Sequence, residues 1–260
     1  MPLPAKRGPK EGGAAAGRNG ENRGVEDGWQ ALYRSEWMSL YALQVVPAIF
    51  LLWALVAGPG RSARNPRARF VHIWALVFAL ETWLDPFVTG PIVANAPASV
   101  ATGASLLFVL LGDFRVLLLA LFLGVPAAGL VRSAWRAAAL TAAVPVAALL
   151  LQSSLEALLG ALSPQVLWLC HELLFVALAL WLRARLRSSD RYVAEVLAYA
   201  ALYYALWASA DVLILLGVEA GWLLRILPNQ LYYAFFVPFA YLRFDWQGAA
   251  EPAQRSPAER

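Results

Sequence analysis

The chain has 260 residues, of which 60% are hydrophobic, with a formal charge of +4 and a mean hydropathy of +0.58. A soluble domain is about 45–50% apolar, so this composition excludes an ordinary soluble globule and points to the lipid bilayer as the main partner. The small net charge gives no case for nucleic acid. A single cysteine, Cys170, excludes an internal disulfide and a cysteine-based zinc or iron–sulfur centre.

Residues 1–35 are rich in Gly, Pro and both signs of charge and poor in branched apolar side chains. Such a segment cannot bury enough surface to offset its ordering entropy and reads as a disordered tail. No apolar run follows its basic residues closely, so it does not read as a signal peptide. Residues 36–244 read as an all-α, polytopic membrane bundle, and 245–260 as a second, short disordered tail on the cytoplasmic side.

About 20 mostly apolar residues are needed for a helix to cross a bilayer. Seven stretches qualify in chain order: 37–57, 70–88, 103–131, 137–158, 164–182, 192–216 and 222–242. The separators are GPGRSARNPRAR at 58–69, TGPIVANAP at 89–97, RSAWR at 132–136 and RARLRSSDR at 183–191, with very short turns near 160–163 and 217–221. Arginine collects after the first, third, fifth and seventh stretches, at Arg61, Arg64, Arg67 and Arg69, at Arg132 and Arg136, at Arg183, Arg185, Arg187 and Arg191, and at Arg243. Cytoplasmic loops carry such residues, which orients the bundle N-out and C-in. The basic residues of the N-terminal tail, Lys6 to Arg34, oppose that assignment. The Ala, Arg and Leu bias suits a bacterial inner (cytoplasmic) membrane.

The second stretch closes on ALETWLDPF, with Glu81 and Asp85 one helical turn apart on one face. With 1.5 Å of rise per residue, Glu81 lies near the midplane and Asp85 about 9 Å outward. Asp113 and Arg115 in the third stretch fall in the outer half, as do Gln152 and Glu156 in the fourth, His171 and Glu172 in the fifth, Asp211 in the sixth, and Arg225 and Asn229 in the seventh. A charge at the bilayer centre costs about 2.5–3.5 kcal/mol on insertion scales, so such groups face the bundle interior, pair, or line water. The pattern predicts a polar pocket open outward over an apolar cytoplasmic floor. Its binding candidates are Glu81, Asp85, Asp113, Arg115, His171, Glu172, Asp211, Arg225 and Asn229. Trp83, Trp168, Trp207 and Trp222 read as an interfacial aromatic belt.

Several chemistries are excluded. No lysine lies beyond Lys10, so no retinal Schiff base can form within the bundle. His72 and His171 sit at different depths and cannot serve a bis-histidine haem. No G-x-S-x-G, P-loop or H-E-x-x-H is present. The catalytic role of any residue is unread. Carboxylates suit hard divalent cations such as Mg²⁺, Mn²⁺ or Ca²⁺, and Glu81, Asp85 and Asp211 are the metal candidates. Three functions stay open: a binding protein for a cation or a small polar or lipid head group; an intramembrane lipid-modifying enzyme using the carboxylates with a divalent metal or as acid and base; and a scaffold with a structural polar core.

Overall fold

The computed structural model describes residues 28–57, 65–89, 96–125 and 129–246. Most of the two expected tails, and the loop arginines Arg61 and Arg64, lie outside the described residues. Among the described residues all regular structure is helical.

A short helix, α1 (Trp29–Arg34), precedes widened π-helical turns at Trp37–Tyr41 that run directly into α2 (Ala42–Ala57). α1 falls within the expected tail, so helical structure begins before the expected boundary at residue 35. α3 (Pro66–Phe87) starts where sequence rules put a helix start. Asn65 accepts the Arg67 backbone N–H at 2.8 Å, and Pro66 occupies the first turn, where no intrahelical N–H bond is needed. α4 (Ala98–Gly124) follows, then α5 (Leu130–Leu159).

α4 ends at Gly124 and α5 begins at Leu130, ahead of the expected RSAWR, so Arg132 and Arg136 sit inside the first turns of α5. Arg, Ser, Ala and Trp are all tolerated in a helix, whereas VPAAG carries the proline and glycine that interrupt one. α5 ends at Gly160, whose φ of 88° is a conformation that favours glycine. α6 (Gln165–Leu186) and α7 (Arg191–Leu215) are joined by a four-residue turn closed by Asp190, which accepts the Val193 N–H at 3.2 Å.

The expected last span is helical from Ala220 to Arg243 but in three pieces: α8 (Ala220–Asn229), widened turns at Gln230–Phe235, and α9 (Phe236–Arg243). Pro228 and Pro238 bracket the widened turns. Neither can donate to the residue four back, and wide turns are one way a helix absorbs that loss.

Among the described residues five helices are long and apolar enough to cross a membrane: α3, α4 from Leu106 onward, α5, α6 and α7. α2 is shorter but apolar. The centre of the bundle is filled by Ala54, Val71, Ala75, Val116, Leu119, Phe175, Val196, Leu197, Phe236 and Ala240, all buried. Of these five long helices, α5 is the least enclosed. It buries one stripe, Ser133, Ala137, Thr141, Val144 and Ala148, and exposes Trp135, Leu150 and Leu158. Large apolar side chains open to the outside on this scale suit lipid rather than water. At the α7–α8 contact Gly221 is packed so closely that a Cβ there would come 2.8 Å from the Ala210 carbonyl oxygen. Small residues permit such approach between helices where no hydrophobic force drives them together.

Candidate functional site

The polar side chains converge at one end of the bundle, the end that holds the turns at 160–164 and 216–219 and the start of α2. At the opposite end ion pairs tie the helix termini together: Arg67 with Asp190, and Glu195 with both Arg191 (3.2 Å) and Arg243 (2.5 Å). His72 also lies toward that end, 3.2 Å from the Tyr241 hydroxyl.

Three clusters make up the site. The first is centred on Arg115, which has no exposed surface. Its Nη1 donates to Glu81 Oε2 at 3.2 Å and to Thr82 Oγ1 at 2.6 Å, and its Nη2 donates to the Tyr232 carbonyl at 2.7 Å. The guanidinium also lies over the Tyr232 ring, 4.3 Å from its centroid. The accepting carbonyl belongs to the widened turns of 230–235, so the distortion in the last span meets the buried arginine directly.

The second cluster joins α4, α6 and α7. Asp113, fully buried, accepts the Tyr204 hydroxyl and lies 3.2 Å from His171 Nε2. Asp113 and Arg115, two residues apart, therefore serve opposite sides of α4, as their spacing requires.

The third cluster sets two carboxylates against one cation. Arg225 Nη1 is 2.8 Å from Asp211 Oδ1, and Arg225 Nη2 is 3.8 Å from Glu172 Oε1. Glu172 is 4% exposed, and among the described residues its Oε2 has no hydrogen-bond partner.

Two cavities open among these clusters. One, of about 190 Å³, is lined by His171, Glu172, Arg225 and Asn229 and walled by Tyr33, Trp168, Tyr204, Trp207, Tyr232 and Tyr233. The other, of about 300 Å³, is lined by Asp85, Thr89 and Arg34 and shares Tyr33, Asn229 and Tyr233 with the first. Asn229 organises the shared wall: it accepts Trp207 Nε1 at 2.7 Å and donates to the Tyr33 hydroxyl at 3.3 Å. Asp85 accepts the Thr89 hydroxyl at 3.0 Å.

Of the nine candidates, His171, Glu172, Arg225, Asn229 and Asp85 line a cavity, while the buried Asp113, Arg115 and Asp211 and the partly buried Glu81 stand behind as partners. The expected metal trio is not assembled. Glu81 is held by Arg115 and Asp211 by Arg225, because a buried carboxylate takes the nearest counter-charge. Among the described residues no group of three His, Cys, Asp or Glu side chains is placed to hold a metal ion. Gln152 and Glu156 bond to each other at 2.8 Å on α5 and line neither cavity.

The aromatic walls are what the sequence reading missed. Trp168 and Trp207 line the cavity rather than serving only as a belt. Their spacing carried the signal. Trp168 is three and four residues before His171 and Glu172, Trp207 is four before Asp211, and Tyr232 and Tyr233 are three and four after Asn229. Tyr33 had no such signal, since it arrives from α1. Comparison with protein-family models, curated proteins and solved structures finds no match for the chain.

Proposed function

We propose that the chain is a seven-span integral membrane protein of a bacterial cytoplasmic membrane, N-out and C-in, whose carboxylate-rich pocket at the non-cytoplasmic end binds a cation or a small polar or lipid head group. The helices at 37–57 and 220–243 complete the seven spans, the second with widened turns between Pro228 and Pro238. The arginine-rich ends of α3, α6 and α9 face the cytoplasm.

The observation that carries the reading is the imbalance of charge around the cavity. Among the described residues Glu172 and Asp211 share the single cation Arg225, and one oxygen of Glu172 has no donor. Buried carboxylates that outnumber their cations either take a proton or bind a positive ligand. The test is thermal stability of the full chain in a maltoside detergent across a panel of cations and pH values. A saturable stabilisation, lost in Glu172→Gln combined with Asp211→Asn, is expected. Stability indifferent to every cation and to pH, in parent and variant alike, leaves only a scaffold with a structural polar core.

One observation favours an enzyme as the second reading. His171 lines the cavity while Asp113 lies behind it at 3.2 Å, the order in which a carboxylate orients an imidazole toward a substrate. In that case His171 is the base, and a lipid with a hydrolysable or transferable head group is the substrate class. Loss of turnover in His171→Gln, with head-group binding retained, would separate this from binding alone.

A further inference from the structure

The cavity beside Glu172 is not lined like an inorganic ion site. Its rings form a continuous wall. The His171 ring lies 6.3 Å from both Trp168 and Tyr204; Tyr204 is 5.5 Å from Trp207, Trp207 is 5.0 Å from Tyr232, and Tyr232 is 4.6 Å from Tyr233. Faces of Trp and Tyr attract cations through the ring quadrupole, most strongly where water is excluded.

The chain supplies its own cation to only part of this wall. Arg115 lies over Tyr232 and Arg225 lies 5.9 Å from the Tyr33 centroid, but among the described residues no arginine or lysine lies over Trp168, Tyr204 or Trp207. Trp168, Tyr204, Trp207 and Glu172 all line this one cavity. Arg225, also in the lining, is shared between Asp211 at 2.8 Å and Glu172 at 3.8 Å, so two carboxylates face one guanidinium. The space, about 190 Å³, is below the roughly 300–1,000 Å³ of drug-sized sites and fits a compact head.

We propose that this cavity is a cage for an organic ammonium group: a quaternary or alkylated ammonium head packed against Trp168, Tyr204 and Trp207, with the Glu172 carboxylate as counter-ion. The inference rests on the binding function proposed above and deepens it by naming the ligand class. A hard, hydrated metal ion gains little from aromatic faces and needs several oxygens. An alkylammonium head needs one carboxylate and apolar, electron-rich walls, which is the set present.

Two sources can present this chemistry, a free solute such as choline or the head group of phosphatidylcholine. The test uses the full chain in maltoside micelles. Binding of choline and of tetramethylammonium is measured by calorimetry and thermal shift, against ammonium and sodium at equal ionic strength. Saturable binding of the two alkylated ions, without a matching response to ammonium or sodium, is expected. Glu172→Gln and Trp168→Leu should each weaken it by roughly tenfold or more, and Glu195→Gln, at the other end of the bundle, should not change it. Trp168 is 42% exposed, so its variant keeps the test valid if Glu172→Gln fails to fold. Competition by phosphatidylcholine doped into the micelles, against phosphatidylglycerol as control, identifies the lipid head as the source; its absence identifies the free solute.

Equal responses to ammonium, sodium and tetramethylammonium overturn the cage and leave the cation-binding function standing. Parental affinity in Trp168→Leu also overturns the cage. Silence toward every cation and pH overturns both.

Discussion

A guanidinium sealed from water needs an acceptor for each donor, and Arg115 finds a carboxylate, a hydroxyl and a backbone carbonyl, leaving Nε without a partner. Replacing it alone leaves Glu81 as an uncompensated charge. Arg115→Met should cost about 3–5 kcal/mol of unfolding free energy, and Arg115→Met with Glu81→Gln should recover most of that; denaturant unfolding in mixed micelles measures both. Gly112 is a second sensitive position. A Cβ there would overlap the Tyr232 hydroxyl oxygen, so Gly112→Ala must push the Tyr232 ring away from both Arg115 and the cavity wall. The expected result is lower stability together with weaker ligand binding, read by the same unfolding and calorimetry. Charged residues were legible in the sequence because a charge inside an apolar run has few reasons to be there. The aromatic residues were not, because Trp and Tyr near a membrane surface have an ordinary place in the interface. Only their helical spacing from Glu172, Asp211 and Asn229 separates the two roles, and Gly112 has no sequence signal at all.

At the scale of the helices, α1 is the element most closely tied to ligand binding and least to folding. None of its residues is buried. Its contacts include the Trp29 N–H donating to Glu219 at 3.2 Å, the Tyr33 ring tilted against Trp222, the Asn229 amide and Arg225 at Tyr33, and Arg34 over the Trp222 ring. Yet Tyr33 walls both cavities. Deleting residues 2–27 is expected to leave melting temperature and binding unchanged. Extending the deletion through Arg34 should leave the melting temperature close to the parent but weaken head-group binding by a few-fold, the scale of one partly exposed cation–π contact. A large loss of melting temperature on the longer deletion would show that α1 is part of the packed core. The long helices were readable from length and apolarity alone. The first and last expected spans were harder, since Pro47, Pro228 and Pro238 lie inside otherwise suitable runs; α2 continues through Pro47, and the helix at 220–243 widens between Pro228 and Pro238 rather than ending. The RSAWR segment misled for the opposite reason: charge marks a membrane boundary, but it does not end a helix, and α5 runs through it.

For the whole molecule, the account depends on two ends with different chemistry. One end holds the cavities, the paired carboxylates and the short turns; the other holds the arginine-rich termini of α3, α6 and α9. An apolar core with few polar groups separates them, which fits a binding site entered from one side better than a pathway through the bundle. The alternation of arginine along the chain gives the expected orientation, which the labelling below tests, while the grouping of the polar side chains into three clusters required the packing of α4 against α7 and of α6 against α7. The most direct test of the central claim is labelling of intact cells by a membrane-impermeant thiol reagent. The parent for this is Cys170→Ala, which removes the native buried cysteine. Ser163→Cys stands in the exposed turn at the cavity end and Ser188→Cys in the exposed turn at the arginine-rich end. Labelling of position 163 in intact cells, with position 188 labelled only after permeabilisation, is the predicted result. Labelling of 188 but not 163 in intact cells would place the cavity on the cytoplasmic side and contradict the account.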